Sequence, residues 1–284
     1  MKVVITPNPY RDKTLRCATE AKQILEKNGI EASICLAFEV DKDFILPSDV
    51  ELKELEKELQ NSDMLICFGG DGTLLHASKA ATYHDIPVLG VNIGTMGFMA
   101  ELESTEVSQL ALLAKNEYSI EERMMITASV IRDGAVVMRE SALNDAVITK
   151  GAVARVIQMG IYCDGTEAIS FSGDGVIVCT PTGSTAYSMS AGGPIIEPSA
   201  ENICITPVCA HTMQARPIVT AGSRTIEVKI GRIGRKNAFL SVDGGRAFRL
   251  NAGDTVRITK SKYTTKLVRL TKKSFFEILY KKLK

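Results

Sequence analysis

The sequence predicts an α/β plus all-β protein, with an α/β domain over residues 1–120 and a β-rich domain over residues 121–260. Two observations carry this expectation. Short apolar runs alternate with helical patterns through roughly the first hundred residues, as parallel strands joined by crossover helices require. Beyond residue 120 the helical pattern gives way to closely spaced alternating runs, the texture of antiparallel strands.

Val3-Val4-Ile5-Thr6 reads as the first strand, and residues 14–27 as a helix that Asn28-Gly29 terminates. Residues 33–37 read as the second strand. Ser48 and Glu51 have capping-box spacing ahead of a helix with Leu52, Leu55 and Leu59 on one face. Met64-Leu65-Ile66-Cys67-Phe68 is a buried strand, followed by a helix over residues 73–81, the strand Val88-Leu89-Gly90-Val91 and a helix near residues 105–116. Ile126, Ala128 and Val130 then alternate with other residues, and Asp133-Gly134 and Asp164-Gly165 read as hairpin turns. Residues 274–280 regain helical character, with an apolar face expected to pack on the protein itself. No internal repeat or low-complexity linker interrupts the chain.

With 284 residues, 45% apolar and 24% charged, the composition is that of a globular protein of one large or two ordinary domains. Thirty-four basic residues against 33 acidic ones give no bulk charge for nucleic acid. Seven cysteines, odd in number and without a CxxC pair, fit reduced thiols in a cytosol better than disulfides or zinc. The N-terminus begins a strand at once, and no apolar stretch approaches the roughly 20 residues needed to span a bilayer. The expectation is a cytoplasmic protein with no nucleic-acid or membrane partner.

The chemistry concentrates in Gly69-Gly70-Asp71-Gly72-Thr73, between a buried strand and a helix start. Glycines let backbone N–H groups approach an anion, and the helix N-terminus adds partial positive charge. A carboxylate amid such a phosphate grip belongs there if it handles a proton or a metal ion, so Asp71 marks a phosphoryl-transfer site. A second glycine cluster, residues 92–98, follows the next strand and reads either as a ligand loop or as a tight turn. Asn144-Asp145 interrupts an apolar run; a bulge is one reading, and an amide beside a carboxylate reading a base edge and a ribose hydroxyl is another. The run from Gly173-Asp174-Gly175 through Thr180-Pro181-Thr182-Gly183-Ser184-Thr185-Ala186-Tyr187-Ser188 gathers more hydroxyls than helix capping needs. Asp243-Gly244 alone reads as a hairpin turn.

Taken together and in this order, with Gly192-Gly193-Pro194 and weaker matches at His211-Thr212, Arg216-Pro217 and Gly253-Asp254, these segments resemble the NAD kinase family over essentially the whole chain. The glycine turn by itself is shared with lipid and sphingoid-base kinases, whereas the 180–188 segment is not expected in them. The resemblance implies a Rossmann-like first domain, a β-sandwich-like second domain, residues 261–284 docking back on the first, and a dinucleotide in the cleft between. It implies Asp71 as the catalytic carboxylate, with Gly69, Gly70, Gly72 and Thr73 on phosphates. It also implies NAD contacts from Asn144, Asp145, Asp174, Thr185, Ala186, Tyr187, Ser188 and Asp243, and no dedicated protein metal ligands. The family more often carries Glu where Asp145 stands. The implied substrates are ATP and NAD with Mg2+ or another divalent cation, in a homodimer or homotetramer. A non-catalytic NAD-binding sensor is the alternative from another class.

Overall fold

Unbroken apolar runs are what parallel strands covered on both faces require, and the first sheet is built from them. In the computed structural model, which describes residues 1–12, 14–37, 52–94, 97–151, 155–231 and 237–284, the chain begins with β1 (Lys2–Pro7), α1 (Arg16–Lys27), β2 (Glu31–Cys35), β3 (Leu52–Lys53) and α2 (Leu55–Leu59). It continues with β4 (Met64–Gly69), α3 (Asp71–Tyr83), β5 (Val88–Asn92), β6 (Leu102–Glu103) and a 3-10 helix over Ser104–Lys115. All six residues of β4 and all five of β5 are buried. The order β3-β2-β1-β4-β5 is parallel throughout. The chain therefore moves outward from β1 to β3, then returns to lay β4 on the other side of β1. Such a reversal opens a crevice at the carboxyl ends of the two central strands. There Pro7 pairs with Phe68, and the Asn8 N–H donates to the Phe68 carbonyl at 2.8 Å.

Two elements differ from the sequence expectation. Leu52 is not on a helix with Leu55 and Leu59; it pairs with Ile34 at the sheet edge, and only Leu55–Leu59 is helical. Apolar Leu52 extends the sheet, a tertiary preference that outweighs its helical spacing. Ser48 and Glu51 lie outside the described residues. The segment near 105–116 is helical but wound as 3-10, and it ends at Asn116 in the left-handed conformation (φ 54°). The stop after α1 is as expected, with Gly29 at φ 79°.

The contacts divide the chain into two units, Met1–Glu122 with Thr265–Lys284, and Arg123–Thr264. The second is mainly antiparallel β structure, which β7 (Ser119–Arg132) enters from the first unit and the last strand leaves for it. After β7 come β8 (Ala135–Ala142), β9 (Asp145–Lys150), β10 (Ile157–Cys163), β11 (Thr166–Gly173), β12 (Gly175–Cys179), a 3-10 turn at Thr182–Thr185 and the short α4 (Tyr187–Ser190). Then come β13 (Asn202–Val208), β14 (Ile218–Ala221), β15 (Ile226–Ile230), β16 (Ala238–Val242), β17 (Phe248–Leu250) and β18 (Thr255–Arg269). One sheet runs β14-β13-β12-β9-β16-β17. Its Ile148, Val176, Val178 and Ile203 share a core with Ile126, Ala128 and Val130 of β7, and with Met159 and Val228 of β10 and β15. Pleat alternation puts Ile177 and Cys179 on the opposite face, against Ala191 and Ile196. The expected hairpin turns form at Asp133-Gly134 (φ 50° and 78°) and Asp164-Gly165 (φ 48° and 81°).

The C-terminal segment belongs to the first unit. Buried Glu101 accepts N–H bonds from Leu270 and Thr271 and pairs with Arg269 at 3.2 Å, and Lys273 pairs with Glu106 at 2.7 Å. The helix α5 (Phe275–Lys282) then starts at a capping box: the Ser274 hydroxyl accepts from the Glu277 N–H at 3.2 Å, and the Glu277 carboxylate accepts from the Ser274 N–H at 2.8 Å.

Candidate active site

At the end of β4, close contact with the start of α3 requires one glycine, Gly69, whereas a Cβ on Gly70 or Gly72 would meet open space. A Cβ on Gly69 would lie 2.5 Å from the Thr73 side chain. Thr73 in turn accepts a hydrogen bond from the Asn8 amide at 2.9 Å, tying the turn to the end of β1. Gly70 is the N-cap of α3, Asp71 its first residue, and the first N–H groups of a helix have no intrahelical partner. Gly70 through Thr73 line a pocket of about 350 Å³ together with Asn8, Arg11, Gly97 and Lys282. Two cations, a helix N-terminus and one carboxylate thus surround a space suited to a multiply charged anion.

Asp71 is held by the second glycine cluster. One carboxylate oxygen accepts the Phe98 N–H at 2.8 Å and the other the Met99 N–H at 3.1 Å. A carboxylate has about four lone-pair sites, so both oxygens retain capacity for an acceptor hydroxyl or a cation. Gly97 allows this clasp, since a Cβ there would sit 2.0 Å from an Asp71 oxygen. The segment 92–98 is thereby more than a turn; Thr95 and Met96 lie outside the described residues. Asn92, at the end of β5, donates to the Gly94 carbonyl at 3.2 Å and to Glu103 at 2.8 Å.

The second unit gathers most of the remaining expected residues. Asn144 sits at the break between β8 and β9, and Asp145 opens β9. The Asp243 carboxylate accepts three N–H bonds, from Leu143 at 2.7 Å, Asn144 at 2.8 Å and Asp145 at 3.0 Å. Asp243-Gly244 is also a hairpin turn, with φ of 49° and 69°. The Thr180 N–H donates to the Asn144 carbonyl at 2.9 Å, and its hydroxyl donates to the Leu143 carbonyl. Gly183 approaches so closely that a Cβ would lie 2.1 Å from the Asn144 carbonyl oxygen. The 144–145 break and the 180–183 strand end therefore form one cluster. Within it the Asn144 side-chain oxygen is buried with no hydrogen-bond partner among the described residues. An orphaned acceptor of this kind costs about 1–3 kcal/mol unless a ligand donor meets it.

The other expected residues divide. Thr185 and Ala186 are half-buried and Tyr187 is exposed. Ser188 is fully buried and hydrogen-bonds the Thr206 hydroxyl at 2.8 Å. Asp174 pairs with Lys150 at 3.2 Å. Three residues of the phosphate pocket, Asn8, Arg11 and Lys282, were not singled out from the sequence. Asn8 and Arg11 follow β1, so the rule that places ligands at strand carboxyl ends could have found them. Lys282 carries no local signal.

Burial pushes the Asp145 carboxyl up to about 7, and the Asp243 charge pushes it the same way. In the unfolded chain it titrates near the ordinary value, so between about pH 4 and pH 7 only the folded state keeps the proton. Stability is therefore favoured at the acidic end of that window and falls as pH rises through it. Asp145→Asn removes the slope: its melting temperature relative to the parent should climb between pH 5 and pH 8. The expected gain is at most roughly 1.4 kcal/mol per unit of the window. Parallel pH profiles of the two proteins would contradict this assignment.

Among the described residues no group of three or more His, Cys, Asp or Glu could hold a metal ion. A magnesium ion, which binds through one or two carboxylates plus substrate phosphates, fits the single pocket carboxylate of Asp71 and the oxygens of a bound polyphosphate.

A carboxylate clasped inside a glycine turn at a sheet's switch point, lining a pocket with two cations, is the arrangement of a phosphotransferase. The ATP-NAD kinase N-terminal domain family matches residues 3–118, and the ATP-NAD kinase C-terminal domain family matches residues 143–270. The NAD kinase of Natranaerobius thermophilus is 44% identical over 289 residues, covering 99% of this chain and 97% of the relative. That of Lachnoclostridium phytofermentans is 39% identical over 288 residues, covering 98% and 97%. Among solved structures, yeast NADH kinase complexed with NADH has a TM-score of 0.86 at 25% identity, covering 100% of this chain and 87% of that one. An NAD kinase from Archaeoglobus fulgidus in complex with ATP shares the fold, with a TM-score of 0.75 at 24% identity and coverage of 100% and 98%. The chain belongs to the NAD kinase family.

Proposed function

We propose that this protein transfers the γ-phosphoryl group of ATP to the 2′-hydroxyl of the adenosine ribose of NAD, giving NADP and ADP. The observation that carries the reading is Asp71, a carboxylate fixed by two N–H donors at the head of a cationic phosphate pocket. The O2′–Pγ bond forms as the bond from Pγ to the bridging oxygen breaks, and ADP leaves with that electron pair. Asp71 takes the hydroxyl proton. The N–H groups at Gly70, Gly72 and Thr73 hold phosphate oxygens, with Gly69 permitting the turn, so that positioning and charge stabilisation dominate. Asp71, with the substrate's phosphate oxygens, would hold a magnesium ion, which would supply charge neutralisation.

In this reading Asn144 and Asp145 contact the adenosine, with Thr185, Ala186 and Tyr187 completing its pocket and Asp174 lying toward the nicotinamide end. The partnerless Asn144 oxygen supports the assignment. Asp243 and Ser188 act by positioning, Asp243 through its three N–H bonds and Ser188 through Thr206. Asn144→Ala should raise the KM for NAD about tenfold, the worth of one to two hydrogen bonds, with the ATP KM nearly unchanged. An unaltered NAD KM would move the pocket elsewhere. The seven free thiols suit a reducing cytoplasm, and the working form is a homodimer or homotetramer.

A lipid or sphingoid-base kinase would need an apolar acceptor groove, whereas the 180–188 segment is polar. A sensor gains nothing from Asp71 beside phosphate. The purified chain, given NAD, ATP and magnesium, should form NADP detectable with an NADP-specific dehydrogenase. No NADP under saturating substrates would overturn the proposal.

A further inference from the structure

The last turn of α5 brings a cation to the phosphate pocket, and its placement is over-determined. Phe275, Ile278 and Leu279 form the half-buried face of this helix, and Lys282, itself exposed, follows them at helical spacing. Phe276 and Tyr280, on other faces, are 62% and 64% exposed. The Lys282 ammonium lies 4.3 Å from the centroid of the Phe98 ring, which also meets Phe275 at 6.4 Å. Phe98 is the residue whose N–H holds Asp71. One aromatic residue therefore seats the helix, supports the lysine by a cation–π contact and orients the carboxylate. Upstream, Glu101 and the capping box at Ser274 fix where the helix starts. Among the described residues no ion pair occupies Lys282, although it lines the same pocket as Asp71 and Arg11.

We propose that Lys282 is a ligand of the phosphoryl donor, pairing with its terminal phosphate oxygens and stabilising charge as the bond to the leaving diphosphate breaks. The C-terminal helix is then part of the donor site, not only a covering of the first unit. The proposal rests on the NAD kinase reading for its kinetic arm, but its binding arm stands apart from that reading. The chemistry recognised is a polyphosphate chain.

The test compares Lys282→Met, Lys282→Arg and Lys281→Met in the full chain. Inorganic tripolyphosphate binding is measured by calorimetry, and ATP and NAD kinetics by NADP formation. Loss of a charge-assisted contact is expected to weaken tripolyphosphate binding in Lys282→Met about tenfold or more, and to lower kcat/KM for ATP by roughly 10- to 100-fold. The NAD KM should stay within about twofold, Lys282→Arg should recover most of the loss, and Lys281→Met should match the parent. Parental tripolyphosphate binding in Lys282→Met would overturn the proposal. So would an equal loss in Lys282→Arg, which keeps the charge, or in Lys281→Met, which does not touch the pocket. A parent that binds tripolyphosphate through Lys282 yet forms no NADP would sink the kinase reading and leave this assignment standing.

Discussion

Asp71→Asn should lower single-turnover phosphoryl transfer by about 10² to 10⁴-fold, the usual worth of general-base assistance, while NAD and tripolyphosphate still bind measurably. The amide keeps the shape of the side chain but cannot accept a proton from the 2′-hydroxyl. It also changes the clasp, because the N–H groups of Phe98 and Met99 address separate oxygens and one would now face an NH2. Two readouts separate the effects. Loosening of the 97–99 loop lowers thermal stability and polyphosphate affinity; loss of the base lowers transfer with both preserved. Partial rescue by excess magnesium would assign Asp71 chiefly to ordering the cation. Near-parental turnover would remove it from the chemistry.

Gly97→Ala should be almost as damaging, although the residue has no side chain and the hydrogen bonds to Asp71 come from Phe98 and Met99. The new methyl would stand 2.0 Å from an Asp71 oxygen, inside any allowed contact, so the carboxylate or the loop must move. Overpacking of this kind costs about 1–3 kcal/mol of stability. The larger consequence is kinetic, since even a 1 Å misplacement of a reacting group can cost about 10²-fold. Steady-state kinetics with a melting curve checks this: kcat should fall about a hundredfold or more with only a modest drop in melting temperature. Parental kcat would show that the clasp can relax without consequence.

These predictions also mark what the sequence made legible. The glycine turn could be read because its chemistry is local: strand, glycines, carboxylate and helix start are consecutive. Hairpins at Asp133-Gly134 and Asp164-Gly165 were equally readable, since left-handed backbone selects such pairs. Leu52 was misread because joining β2 is a tertiary event that helical spacing cannot reveal. Asp243 shows the deeper limit. As a dipeptide with Gly244 it reads as a turn, and it is one, yet its carboxylate organises Leu143 through Asp145 about a hundred residues earlier. Lys282 is a similar case, reaching the pocket because Glu101, Ser274 and Phe98 set the helix in place. Long-range placement of ordinary residues leaves no motif behind.

The most direct measurement follows the phosphorus atom. With γ-18O-labelled ATP and NAD, mass spectrometry and phosphorus NMR of the product should place the label in a phosphate on the 2′ position of the adenosine ribose. Asp71→Asn should yield almost none of that product. Label recovered only in inorganic phosphate, or at another hydroxyl, would contradict the account.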